Sequence, residues 1–128
     1  MRAHASYDYA VVRVVPRVDR EEFVNAGVIL FSKAHHFLAA RVDVDEGRLR
    51  VLAPEVDVDL VRRHLEAILR ICAGEEAAGP IACLSQSERF HWLVAPRSTI
   101  IQVSPVHGGV CDEPGARLEA LFLRLVMR

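Results

Sequence analysis

The sequence predicts an α+β fold: a mostly antiparallel sheet of three to five strands packed with two long amphipathic helices and one or two short ones. Two runs of aromatic and β-branched residues, Tyr7 to Pro16 and Phe23 to Ser32, read as strands. Their connection is too long for a two-residue hairpin and short enough for antiparallel neighbours. Val58 to Ala73 and Glu113 to Met127 instead repeat apolar residues at three- and four-residue spacing, the period of a helix with one buried stripe. The elements follow in the order β-β-β-α-α-β-α. No internal repeat, low-complexity tract or linker divides them, so residues 1–128 read as one globular domain.

YDYAVVRVVP opens the fold. Strand alternation puts Ala10, Val12 and Val14 on one face and Tyr7, Tyr9, Val11, Arg13 and Val15 on the other. Both faces are largely apolar, which implies a central strand covered on each side, with Pro16 closing it. RVDREE, residues 17–22, is a charged connection with room for a helical turn. Within FVNAGVILFS, Asn25 and Gly27 interrupt the apolar run and mark a bulge or a close backbone approach, because glycine fits where a side chain would not. His36 to Val42 reads as a third, shorter strand. In DVDEGRLRVLAP a helical turn is expected around Glu46 to Val51, ended by Pro54.

The clearest helix runs from Val58 to Ala73 behind Asp57 as N-cap. Val61, Leu65, Ile68, Leu69 and Cys72 make its apolar stripe, Arg62, Arg63, Glu66 and Arg70 its solvated side, and Gly74 and Gly79-Pro80 stop it. A compact helix is expected from Ser87 to Val94, capped by Ser85 or Ser87 and bounded by Pro96. A fourth strand follows from Ser98 to Ser104, and Pro105, Gly108 and Gly109 then read as a turn-rich loop. The last helix carries Pro114 in its first turn and a stripe of Leu118, Leu121, Phe122, Leu125 and Val126.

Composition excludes several classes. A chain of 128 residues with 52% hydrophobic and 26% charged side chains can build a core and is not disordered. Sixteen Lys+Arg against 17 Asp+Glu leave a net charge of -1, which argues against a nucleic-acid partner, whose footprint is a basic excess; a local basic pocket remains compatible. Cys72, Cys83 and Cys111 are odd in number and contain no CxxC pair, the pattern of reduced thiols. With no secretory h-region and no apolar run near the roughly 20 residues that cross a bilayer, the expected location is the cytoplasm and no membrane partner is expected.

Few residues invite chemistry. Arg13 stands amid an apolar strand, where an unpaired guanidinium is costly. It must reach the rim, pair with an internal acid such as Glu22 or Glu88, or meet the anion of a ligand. In ERFHWLVAPRST, residues 88–99, Phe90 and Leu93 should point inward while Arg89 and Trp92 share another side. Pro96 then presents Arg97, Ser98 and Thr99, a forked cation beside two hydroxyls, as a candidate oxyanion cradle; the same residues also make ordinary turns and caps. His107, beside two glycines, is the candidate acid–base residue, although a surface-loop histidine is the commoner outcome and no Ser-His-Asp ordering or nucleophile elbow accompanies it.

Neither a metal nor a cofactor is expected. Adjacent His35 and His36 would point to opposite faces of a strand, His64 lies beside an apolar stripe, and His107 with Cys111 lacks further ligands at zinc-like spacing. There is no Walker loop, GxGxxG or HExxH. The pairs Asp43-Asp45 and Asp57-Asp59 belong to turns and caps.

YDYAVVRVVPRVDREEFVNAGVILF, RFHWLVAPRSTIIQVSPVH and the ending CDEP before a Leu-rich helix together resemble the bacterial family known as domain of unknown function 3037. The likeness runs from Tyr7 to the last helix. It implies a small cytosolic α+β protein often encoded beside other genes, in some cases one for a HipA-like kinase, and it carries no established reaction. Arg13, Glu22, Asn25, Gly27, Arg89, Arg97, Ser98, Ser104 and His107 match the family's recurrent polar pattern. The reading that joins these observations is an accessory or binding module that recognises an anionic group or a partner protein through Arg13, Asn25, Arg89, Arg97 and Ser98. Two alternatives stand beside it: an enzyme acting on a phosphorylated or nucleic-acid substrate with His107 as acid or base, and a structural homodimer.

Overall fold

A computed structural model describes residues 4–127. Strand β1 (Ala5–Val14) lies between β2 (Val24–Ser32) on one edge and β4 (Ile101–Val103) with β5 (His107–Cys111) on the other, and β3 (Phe37–Val42) pairs beyond β2. All pairings are antiparallel, giving a five-stranded sheet. The middle position of β1 follows from its two apolar faces. Val12 and Val14 pack with side chains of α1 (Glu46–Leu52), α2 (Val58–Ala73) and α3 (Gln86–Leu93). Tyr7 joins Val28 and Leu30 of β2 against Leu118, Leu121 and Phe122 of α4 (Pro114–Leu125). Helices therefore cover both faces, and α4 packs chiefly on β2 and β3.

The helix ends obey local chemistry. Asp45 and Asp57 accept from Arg48 N and Leu60 N at the starts of α1 and α2. Ser85, rather than Ser87, caps α3 through a capping box with Glu88. Gly74 stops α2 in the left-handed conformation at φ 71. The expected turn in the charged connection is a short 3-10 segment, Val18–Arg20.

Both edges of β1 contain one irregularity. On the β2 side Val12 pairs with Gly27 but Arg13 with Asn25, which makes Ala26 the extra residue of a bulge. The bulge resets the alternation: Val24 and Ala26 before it share a face with Ile29 and Phe31 after it. Gly27 also makes the close approach read from the sequence, since a Cβ there would lie 2.7 Å from the Arg41 carbonyl oxygen and 2.8 Å from Val42 Cγ1.

On the other side, β4 and β5 are two pieces of one strand. Between the pairs Val12–Val103 and Tyr9–His107, β1 advances three residues and its neighbour four. Ser104 bridges the interruption from a buried position. Its N–H donates to Val11 O at 2.9 Å, and its hydroxyl accepts from Val11 N at 2.8 Å in place of a backbone carbonyl.

Three sequence expectations change here. The fourth strand does not span Ser98 to Ser104 but only Ile101–Val103, because the Thr99 hydroxyl donates to Ile101 O and the Gln102 amide to Thr99 O, closing a turn before it. The expected Gly108-Gly109 loop is strand β5. Gly109 is glycine there because the Tyr7 ring lies across it: a Cβ would fall 2.6 Å from Tyr7 Oη. The third strand begins at Phe37, leaving His35 and His36 in the preceding turn.

Gly27→Ala forces the β3 backbone away from β2. It is expected to destabilise the fold by about 1–3 kcal/mol, read in urea denaturation as a lowered midpoint with an unchanged slope.

Candidate functional site

Two of the three arginines expected to bind an anion serve helix ends. Arg89 reaches from α3 to the end of α2, where its Nη1 donates to Ile71 O at 2.9 Å and Cys72 O at 2.8 Å while Nε donates to Leu84 O. The last carbonyls of a helix have no partner within it and carry the negative end of its dipole, so a guanidinium satisfies both needs. Arg97 does the same for α3: Nη2 donates to Trp92 O at 2.6 Å, Nη1 to Leu93 O and Ala95 O, and the guanidinium lies 4.4 Å from the centre of the Trp92 ring. The Arg97 fork thus faces α3 rather than a cradle shared with Ser98 and Thr99. Ser98 itself is exposed.

Arg13 is different. Val12 and Val14 point to the α2 and α3 side, so strand alternation turns Arg13 to the opposite face, away from Arg89 and Arg97. Its guanidinium lies 4.2 Å from the centre of the Phe23 ring, and its buried Nε–H has no acceptor among the described residues. The acids that sequence reasoning offered as internal partners are committed elsewhere. Glu22 takes two hydrogen bonds from Arg20, which hold its carboxyl below the usual range, and Glu88 closes the capping box of Ser85.

The strand register places Arg13 opposite Asn25 on β2 and Gln102 on β4. Asn25 donates through Nδ2 to Leu125 O at 3.0 Å, pinning the end of α4, and its buried Oδ1 has no partner. Arg13 Nε and Asn25 Oδ1 are the buried side-chain polar atoms without a hydrogen bond among the described residues. Such exceptions are rare in folded proteins, where strain, a catalytic role or a bound water or ion accounts for them. The sequence pointed to both residues through an arginine in an apolar strand and an asparagine at a bulge; no sequence signal showed that they would face each other. Phe23, 44% exposed, completes the patch and was read only as the start of a strand.

His107 lies on β5, not in a loop. It is exposed, is the register partner of Tyr9, and lies tilted against that ring at 5.3 Å between centres. It has no hydrogen bond to a described residue that would orient its ring. Tyr9 and Arg13 are four residues apart along β1, about 13 Å at the usual strand rise, so His107 does not share the Arg13 patch. Among the described residues no three His, Cys, Asp or Glu side chains are grouped to hold a metal.

The family model described as "Protein of unknown function (DUF3037)" matches residues 9–126, and the chain belongs to that family. No curated protein and no solved structure matches it.

The cysteines differ in reactivity. Burial pushes the Cys72 thiol up to about 12, against an opposing pull from Arg89, and burial also raises Cys111, whereas Cys83 is exposed. Because thiolate is the reactive form, iodoacetamide at pH 8 is expected to label Cys83 in the native protein and Cys72 and Cys111 only after unfolding, as counted by mass spectrometry. The raised thiols favour the fold below their ordinary value of 9.0, so this contribution is lost as pH climbs from about 9 toward about 12. Arg89→Gln strips the cap from α2 and is expected to cost about 1.5–3 kcal/mol in urea denaturation.

Proposed function

We propose that this member of the DUF3037 family is a small binding module that recognises an oxyanion on a partner protein through Arg13, with Asn25 beside it. The observation that carries the reading is the cross-strand pairing of two buried, unsatisfied atoms, the Arg13 Nε–H donor and the Asn25 Oδ1 acceptor. A phosphate or carboxylate oxygen accepts from the guanidinium. A hydroxyl or N–H on the same ligand, such as the backbone amide beside a phosphorylated or acidic side chain, donates to Asn25. Arginine suits this role because its planar fork meets such oxygens two at a time and it stays charged. The exposed Phe23 ring, already under the guanidinium, offers apolar contact to the chain that carries the anion.

Binding is favoured over turnover because His107 lies away from this patch and no acid or hydroxyl among the described residues orients it. No described helix is long and apolar enough to cross a membrane. The reduced-thiol pattern supports a cytoplasmic setting, and the first partner to try is a protein encoded nearby, such as a HipA-like kinase.

Thermal unfolding in inorganic phosphate, phosphoserine and citrate tests the site. A ligand at one hundred times its dissociation constant stabilises by about 2.7 kcal/mol, so at least one of these anions is expected to raise Tm of the wild type in a saturable way. Arg13→Gln should abolish the rise, and Arg13→Lys should weaken binding at least tenfold for want of a fork. A wild type indifferent to all three anions, or an undiminished response in Arg13→Gln, overturns the proposal.

A further inference from the structure

A cavity of about 410 Å³ opens between α2, α3 and β4, on the face of the sheet away from Arg13. It lies where residues 94–100 turn back, so that Arg97 can cap α3, before the three-residue β4 begins. Ile68 and Ile71 of α2, Leu93 of α3, and Ile101 and Val103 of β4 make its walls, with the ring of Trp92 beside them. Trp92 is 41% exposed, a large apolar surface left open at a concave site. The size is that of a small-molecule pocket, and the mix of apolar walls with few polar groups is typical of one.

The charge in the lining has one sign. Arg97 is its permanently charged residue, exposed His64 is the other basic group, Thr99 and Gln102 are neutral, and no carboxylate among the described residues lines the cavity. Arg97 spends its Nη groups on three carbonyls, but its Nε–H has no acceptor among the described residues. The α3 C-terminus offsets only about half an elementary charge, so the guanidinium keeps a net positive field at the end of an apolar hollow. Such a site matches a ligand with an apolar body and one anionic end. We infer that this cavity binds a small amphiphilic carboxylate, its hydrocarbon portion against Ile68, Ile71, Leu93 and Trp92 and its carboxylate accepting from Arg97 Nε. The site is independent of the Arg13 patch and stands if that reading fails.

Trp92 is the chain's single tryptophan, so its fluorescence reports on the cavity directly. The full chain is titrated with submicellar decanoate, with 1-decanol as an uncharged counterpart and with acetate as a carboxylate without a body. Decanoate is expected to shift the emission saturably, 1-decanol to bind at least tenfold more weakly, and acetate to do nothing. Ala67 lines the cavity from an exposed position on α2, so Ala67→Phe should fill the space and weaken decanoate at least tenfold. Ala67→Leu gives a smaller loss and serves if the larger side chain impairs folding. Arg97→Gln should bring decanoate down to the level of 1-decanol, while Arg13→Gln should bind decanoate as the wild type does. The inference is overturned if decanoate leaves the emission unchanged, if decanoate and 1-decanol bind alike to the wild type, or if filling the cavity leaves decanoate binding intact.

Discussion

Strand β1 must pair along both edges while burying side chains on both faces, and the rest of the structure follows from that demand. A continuous ladder on each edge would complete the sheet but hold every residue to strict alternation. The bulge at Ala26 and the interruption at Ser104 relax that rule close to where Arg13 emerges. Each is repaired at once: the Ala26 carbonyl takes Asp43 N at 2.8 Å, and the Ser104 hydroxyl takes Val11 N. Bulges raise local twist and re-aim nearby side chains. A guanidinium can therefore sit in the middle strand without unpairing it.

The arginines divide by what their donors meet. Arg89 and Arg97 meet peptide carbonyls at the ends of α2 and α3, Arg20, Arg41, Arg50 and Arg70 meet carboxylates at the surface, and Arg13 meets an aromatic face alone. Carbonyl capping explains how Arg89 and Arg97 sit half-buried with peptide carbonyls as their hydrogen-bond acceptors. The cations that close helices spend most of their donors there, Arg97 keeping its Nε, whereas Arg13 has spare donors held in a rigid strand.

Local chemistry made much of the fold legible before any coordinates. Asp57, Gly74 and the stripe from Val61 to Cys72 bound α2 through capping and periodicity, which act within one or two turns, and the limits read from them coincide with Val58–Ala73. Gly27 was legible because a glycine inside an apolar strand signals a bulge or a close approach whichever neighbour causes it. The misreading of Gly108-Gly109 arose because two glycines soon after Pro105 signal a turn, while the cause at Gly109 is a distant one: the Tyr7 ring needs the space. The site was legible only in part. Arg13 and Asn25 each stood out against their own strands, but their meeting depends on the bulge register. That Arg97 would fold back on α3 depends on carbonyls whose need for a donor is visible only once the helix ends are placed.

The interruption between β4 and β5 has a consequence for the outer flank of the sheet. An uninterrupted outer strand exposes a row of free N–H and C=O groups on which a strand of another molecule can template itself. Pro105 offers no N–H, and the added residue shifts the row out of step, leaving stretches of three and five residues instead of one long ladder. The seam that Ser104 closes on the inner side thus blunts self-stacking on the outer side, so a sheet rich in Val, Ile and Leu can present this flank to its surroundings without inviting open-ended aggregation.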